Sequence, residues 1–158
     1  MNQKAKTCCF TGHRVIPKQQ HDRIYTAIKA EIMSLIEAGY CYFGTGGALG
    51  FDTLAATAVL ELKQAYPHIK LILVLPCLEQ AIGWTEQSIA TYEEIKNRCD
   101  KCTYTSKHYD SSCMQKRNRH LVDHSSVCIA FLTKNSGGTA FTVDYAEKQK
   151  VRVVNIAN

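Results

Sequence analysis

Tyr42-Phe-Gly-Thr-Gly-Gly-Ala-Leu-Gly-Phe-Asp52 is the stretch whose reading decides the fold. Tyr40 to Phe43 is an apolar and aromatic run that reads as a short buried strand. Gly44, Thr45, Gly46, Gly47 and Gly50 then crowd a turn. From about Phe51 the spacing is helical, with Leu54, Ala55, Ala58, Val59 and Leu62 on one face. A strand that turns through glycines into a helix gathers free backbone N–H groups at the positive end of the helix dipole. Without a Cβ in the way, an anion can come close to that main chain. The stretch departs from the dinucleotide fingerprint G-x-G-x-x-G, because Leu49 stands at the sixth position and the last glycine is Gly50. No nicotinamide cofactor is assigned. Asp52, in the first helical turn, suits the dipole but repels a phosphate, so its better partner is a ribose hydroxyl or a base edge. The plainer alternative is a glycine-rich connection with Asp52 as an ordinary first-turn acid.

Upstream, Thr7-Cys-Cys-Phe-Thr11 reads as a strand that ends in Gly12-His13-Arg14. Asp22 to Ala38 follows with helical spacing, stopped by Gly39. Downstream, Leu71–Leu75 and Val127–Leu132 are continuous apolar runs, the mark of strands covered on both faces. Between them come a helix over Glu86–Arg98, with Ile89, Tyr92 and Ile95 inward, a weaker strand at Lys101–Thr105 and a helix over Met114–His124. A helix over Ala140–Lys150 and a strand over Val151–Ile156 complete the chain. Strand and helix alternate throughout, which predicts an α/β, Rossmann-like, doubly wound and mostly parallel sheet with helices on both faces. At 158 residues the chain is expected to be a single domain, residues 1–158.

Composition narrows the function. The net charge of +5 is modest and its basic residues are scattered. No run approaches the ~18 apolar residues of a membrane span. Met-Asn-Gln-Lys-Ala-Lys-Thr leads straight towards a strand with no apolar leader, so the chain is expected in the cytoplasm. Most of the eight cysteines sit in apolar runs and read as buried thiols. Cys99-Asp-Lys-Cys102, with His108 and Cys113, has the ligand types of a zinc site. Its cysteines, however, fall at a helix end and a strand entry, and no metal is assigned.

Three strand exits carry the special chemistry: Gly12-His13-Arg14, Gly44 to Asp52, and Ser136-Gly137-Gly138-Thr139. In a parallel sheet all three lie on one edge, where ligands bind. Ser136 is placed to cap the helix that follows it, and Arg14 to grip phosphate with its planar fork. Arg117 and Asn118, on the preceding helix, face the same rim. Trp84, on the loop after the third strand, is either a stacking surface for a base or a buried anchor. The alternatives are a solvated His13 and an ordinary solvated helix face around Arg117.

These residues also carry a resemblance that covers essentially the whole chain. Phe10-Thr-Gly-His-Arg14, Gly46-Gly-Ala-Leu-Gly-Phe-Asp52, Met114-Gln-Lys-Arg-Asn118 and Gly137-Gly-Thr-Ala-Phe-Thr142 resemble the SLOG superfamily, and within it the YpsA-like proteins. That resemblance implies a Rossmann-like sheet and a site for nucleotides or nucleotide-derived signals. The superfamily joins the DNA-processing protein A group to the "lonely guy" phosphoribohydrolases. The latter carry P-G-G-x-G-T-x-x-E and M-x-x-R-K. Here Met114 and Arg117 match the second motif, with Asn118 in place of Lys. In the first, Ser136 replaces Pro, Ala140 and Phe141 replace Gly-Thr, and Asp144 stands where the Glu belongs. The shorter carboxylate counts against hydrolysis.

The leading expectation is binding of a nucleotide-derived small molecule, without cofactor. Amides of Gly46, Gly47, Gly137, Gly138 and Thr139 would hold phosphate, Arg14 and Arg117 would neutralise it, and Asp52 would take ribose hydroxyls. A rival reading is an N-glycosidic phosphoribohydrolase using Arg117 with Asp144 or Asp52. A third is a single-stranded nucleic-acid module, but scattered charge and few aromatic platforms speak against nucleic acid as a partner. A neighbouring subunit of a homo-oligomer is left open as a contributor to the site.

Overall fold

The computed structural model describes residues 3–157. Met1, Asn2 and Asn158 lie outside them, so the reading of the chain's first two residues is not addressed. Gln3–Lys6 forms a 3-10 turn before the first strand. The elements that follow are β1 (Thr7–Gly12), α1 (His21–Glu37), β2 (Tyr42–Thr45), α2 (Phe51–Lys63), β3 (Lys70–Leu75) and α3 (Glu86–Arg98). After them come β4 (Lys101–Tyr104), α4 (Cys113–Asp123), β5 (Val127–Phe131), α5 (Gly138–Lys148) and β6 (Arg152–Asn155). The six strands form one sheet in the order β4-β3-β2-β1-β5-β6, and every neighbouring pair is parallel. This is the α/β Rossmann-like fold that the alternation predicts.

The strand pleat sorts side chains between two layers. Leu71, Leu73 and Leu75 of β3, Val127, Ile129 and Phe131 of β5, and Cys8 and Phe10 of β1 face the core shared with α1, α2 and α3. Cys9, Val74 and Cys128, one step out of phase, face a smaller core with Leu121 and Val122 of α4 and Ala146 of α5. The division follows from chirality. Right-handed crossovers that march outward from β1 to β4 place their helices on one face, and those that return to β5 and β6 place theirs on the other. The reversal occurs at β1, so a crevice opens between the carboxyl ends of β1 and β5, where open α/β sheets hold ligands. All eight cysteines are free thiols.

Local boundaries shift from expectation in informative ways. β2 is Tyr42–Thr45, so Gly44 and Thr45 belong to the strand and not to the turn. Ile89 is exposed, leaving Tyr92 and Ile95 as the inward face of α3. Cys99 ends α3 and donates its thiol hydrogen to the Lys96 carbonyl (3.1 Å), while Cys102 lies on exposed β4.

Candidate functional site

The crevice between β1 and β5 widens into a cavity of about 820 Å³. Gly12, His13 and Arg14 supply one wall; Met114, Arg117 and Asn118 of α4 a second; Ser136, Gly137, Gly138 and Thr139 a third. Ala48 and Asp52 border it from the start of α2. Of the expected site residues, ten therefore converge: Gly12, His13, Arg14, Asp52, Arg117, Asn118, Ser136, Gly137, Gly138 and Thr139.

Arg117 organises the floor. Its side chain is 3% exposed. Nη1 donates to the Gly46 carbonyl and to Gln80 Oε1 (3.4 Å), and Nε donates to Asn118 Oδ1 (2.7 Å). Nη2 has the Met114 sulfur at 3.7 Å, and Arg14 Nη2 meets the same sulfur at 3.8 Å. Two guanidinium groups thus share one thioether, a weak and uncharged acceptor. Asp52, 7% exposed, is the only carboxylate in the lining among the described residues. Its Oδ2 accepts the Ala48 amide at 3.1 Å. Burial pushes the Asp52 carboxyl up, with Arg117 pulling it back. Burial pushes the Arg117 guanidinium down, with Asp52 opposing and Arg14 reinforcing. Lys134 adds a further cation to the lining. The cavity is electropositive around one internal counter-charge.

The third wall is the amino terminus of α5. Gly137, with φ of 97°, is its N-cap, and no side chain caps the helix. Ser136 therefore does not cap it, because the helix begins one residue later than such a role requires. The space around Gly137 and Gly138 is open: a Cβ at either would meet nothing within 4 Å. First-turn amides of a helix lack intrahelical acceptors, and the residues Gly138 and Thr139 that carry them here line the cavity. His13 braces this wall to the first. Its Nε2 accepts the Thr133 amide at 2.9 Å, and its ring lies edge-on to Phe131 at 5.6 Å. Burial lowers the His13 pKa from its ordinary 6.5, and Lys134 lowers it further. His13 is a structural link between loops, not a solvated side chain.

The rest of the expected set lies elsewhere. Gly44 sits in β2 beneath Leu121, and Thr45 is fully buried, its hydroxyl donating to the Asp52 carbonyl at 3.4 Å. A Cβ on Gly46 would fall 2.4 Å from Arg117 Nη1, so the guanidinium fills the space kept for an anion. Gly47 packs under Leu75 and Tyr92. Gly50, at φ of 76°, brings its main chain against the Arg14 carbonyl, where a Cβ would lie 2.2 Å from the oxygen. The Phe51 amide donates to the His13 carbonyl at 3.1 Å. One first-turn amide of α2 is thus taken by a protein carbonyl, and Gly46 and Gly47 are not in the cavity lining. Trp84 stands edge-on to Tyr92 at 5.2 Å, a packing anchor outside the lining. Asp144 is exposed on α5 and pairs with Lys148 at 2.9 Å. Sequence reading named Met114 only as part of a motif, and did not place Lys134 or Gln80 here. Lys134 was findable from its place in a strand-exit loop; Gln80, 34 residues from Gly46, left no local signal.

A YpsA model, described as the YspA SLOG family, matches residues 9–156. The chain belongs to this SLOG family. Its relatives include a UPF0398 protein of Halalkalibacterium halodurans, 31% identical over 80% of this chain and 69% of that one. The SPbeta prophage-derived protein YoqJ of Bacillus subtilis is 32% identical over 67% of this chain and 69% of that one. Among solved structures, DNA processing protein A from Streptococcus pneumoniae superposes with a TM-score of 0.68 at 18% identity, covering 96% of this chain. The Helicobacter pylori protein gives 0.67 at 20% identity, covering 95%. This SLOG chain spans 50% and 64% of those two chains, and the likeness is one of fold.

One expectation is overturned. Scattered charge spoke against nucleic acid as a partner, yet a protein of this fold, that from H. pylori, is described by its single-stranded DNA binding mode. The physical reason is that folding gathers Arg14, Arg117 and Lys134, separated in sequence, around one cavity. Among the described residues no helix is long and apolar enough to cross a membrane.

Proposed function

We propose that the cavity binds a phosphorylated, nucleotide-type small molecule, with phosphate at the amino terminus of α5 and along Arg14 and Lys134. The observation that carries this reading is the pair of guanidinium groups on one uncharged sulfur, in a cavity also lined by the amino terminus of α5 and, among the described residues, by a single carboxylate. An anion there relieves the repulsion between the cations and accepts hydrogen bonds from the helix end. Asp52 and Asn118 are the polar groups for ribose hydroxyls. A volume of about 820 Å³ falls within the range of pockets that enclose ligands of this size. Exposure of Asp144 outside the lining supports binding over N-glycosidic hydrolysis through the motif carboxylate. The proposal takes the chain as one cytosolic domain.

Calorimetric titration with nucleoside mono- and diphosphates, ADP-ribose and cyclic nucleotides tests it. The expected result is saturable heat from at least one of them, weakened tenfold or more by Arg14→Ala and Lys134→Ala. No heat and no thermal shift from any member of the panel would overturn it.

A second reading, single-stranded nucleic acid at the same site, is favoured by one observation. Lys116 and Arg119 line a further groove of about 320 Å³ on the flank of α4, so the helix is basic on both sides. Oligonucleotide affinity that falls steeply with salt and exceeds that of mononucleotides would favour it.

A further inference from the structure

The charges that line the cavity between β1 and β5 do not cancel. Arg14, Arg117 and Lys134 share the lining with one carboxylate among the described residues, Asp52. Asp52 and Arg117 offset each other. Arg117 is the strongest charge holding the Asp52 carboxyl down, and Asp52 the strongest holding the Arg117 guanidinium up. The positive charges of Arg14 and Lys134 are left over. Neither side chain forms an ion pair with a carboxylate among the described residues, and both are exposed in the lining.

The backbone holds these two cations together. The Thr133 amide donates to His13 Nε2 at 2.9 Å, so each cation lies one residue from a bond that ties the two loops. Lys134 is near enough to His13 to lower its pKa. The amino terminus of α5 completes the group. No side chain caps it, and a Cβ on Gly137 or Gly138 would meet nothing within 4 Å, so an oxygen has room to reach the main chain. The donors are thus a guanidinium fork, an ammonium and an uncapped helix end. A terminal phosphate offers three acceptor oxygens and roughly two negative charges at neutral pH. A phosphate inside a diester offers fewer free oxygens and a single charge.

We propose that the cavity selects a terminal phosphate, the free phosphate end of a nucleoside mono- or diphosphate, over a diester, a cyclic nucleotide or an interior phosphate of a strand. This inference rests on the nucleotide reading above and narrows it. The dianion neutralises both surplus charges and gives each donor an oxygen. A diester leaves one positive charge uncompensated and one donor group without an acceptor, where the two guanidinium groups have only the Met114 sulfur between them.

The test uses the full chain and calorimetry. Nucleoside 5′-monophosphates of the four common bases are each compared with their methyl phosphodiesters, which keep base, sugar and attachment and lose one charge. The expected result is that at least one base binds, with the monoester favoured by about tenfold or more. Lys134→Gln and Arg14→Gln should each weaken the monoester more than the diester and cut that ratio to about threefold or less. Melting of each variant shows that the fold is kept. Equal affinity for monoester and diester overturns this inference and leaves the nucleotide reading standing. A ratio unchanged in both variants also overturns it. If neither compound binds for any base this inference falls, and the cyclic nucleotides and ADP-ribose of the first titration decide the nucleotide reading separately.

Discussion

At the exit of β2, Gly46, Gly47 and Gly50 each face a neighbour that a methyl group would strike; at the exit of β5, Gly137 and Gly138 face open space. The two turns have similar composition and opposite uses. The first lets the protein approach itself. Arg117 reaches the Gly46 carbonyl, and Gly50 seats α2 on the β1 loop. The second has no side-chain cap and lines the cavity. Glycine at a strand exit therefore permits close approach without saying what approaches.

Four measurements sharpen or break this comparison. Arg117→Ala should have the largest effect, about 3–5 kcal/mol of lost stability in chemical denaturation, because it strips Asp52 of its buried counter-charge and leaves the Gly46 carbonyl with Gln80 Nε2 as its remaining donor. Gly50→Ala should cost about 2–4 kcal/mol, from a left-handed backbone angle and a clash with the Arg14 carbonyl. A neutral result at Gly50 would erase the contrast between the turns. Gly138→Ala should change stability by less than about 1 kcal/mol, since its Cβ meets nothing, while weakening any anion held on the α5 amides. Equal stability losses at Gly50 and Gly138 would contradict the open-turn assignment. Asp144→Asn should stay within about 0.5 kcal/mol and leave ligand affinity unchanged, as expected for an exposed pair on a helix surface.

The brace between the two loops adds a pH test. His13 has a folded pKa below its ordinary 6.5, so its neutral form is favoured by folding. Its contribution is present above pH 6.5 and is lost as pH falls through the folded value, when protonation also removes the lone pair that accepts the Thr133 amide. His13→Leu should flatten that part of the stability curve, measured by denaturation between pH 7.5 and 5. An unchanged slope would show that His13 does not hold the loops together.

Much of this was legible in advance, for identifiable reasons. Strand periodicity and glycine stops are local signals, so the alternation of elements and the edge where the cavity opens followed from neighbours in the chain. Arg117 of the motif Met114-x-x-Arg117 and the Gly137–Gly138 turn do line the cavity. For Asp144 and Trp84 the sequence left alternatives open, because a position in a motif or a loop does not say which way a side chain points. Asp144 lies on the outer surface of α5 and Trp84 packs on Tyr92. Nucleic acid was set aside because charge was counted along the chain, and only folding brings Arg14, Arg117 and Lys134 to one wall-to-wall space.

What the amino-acid order determined alone is the parallel α/β sheet, because apolar pattern and turn chemistry act over a few residues. Which glycine turn stays open was decided by tertiary structure. That choice depends on where α4 delivers Arg117, 71 residues from the Gly46 carbonyl that it occupies, and packing over such a separation leaves no mark on local sequence.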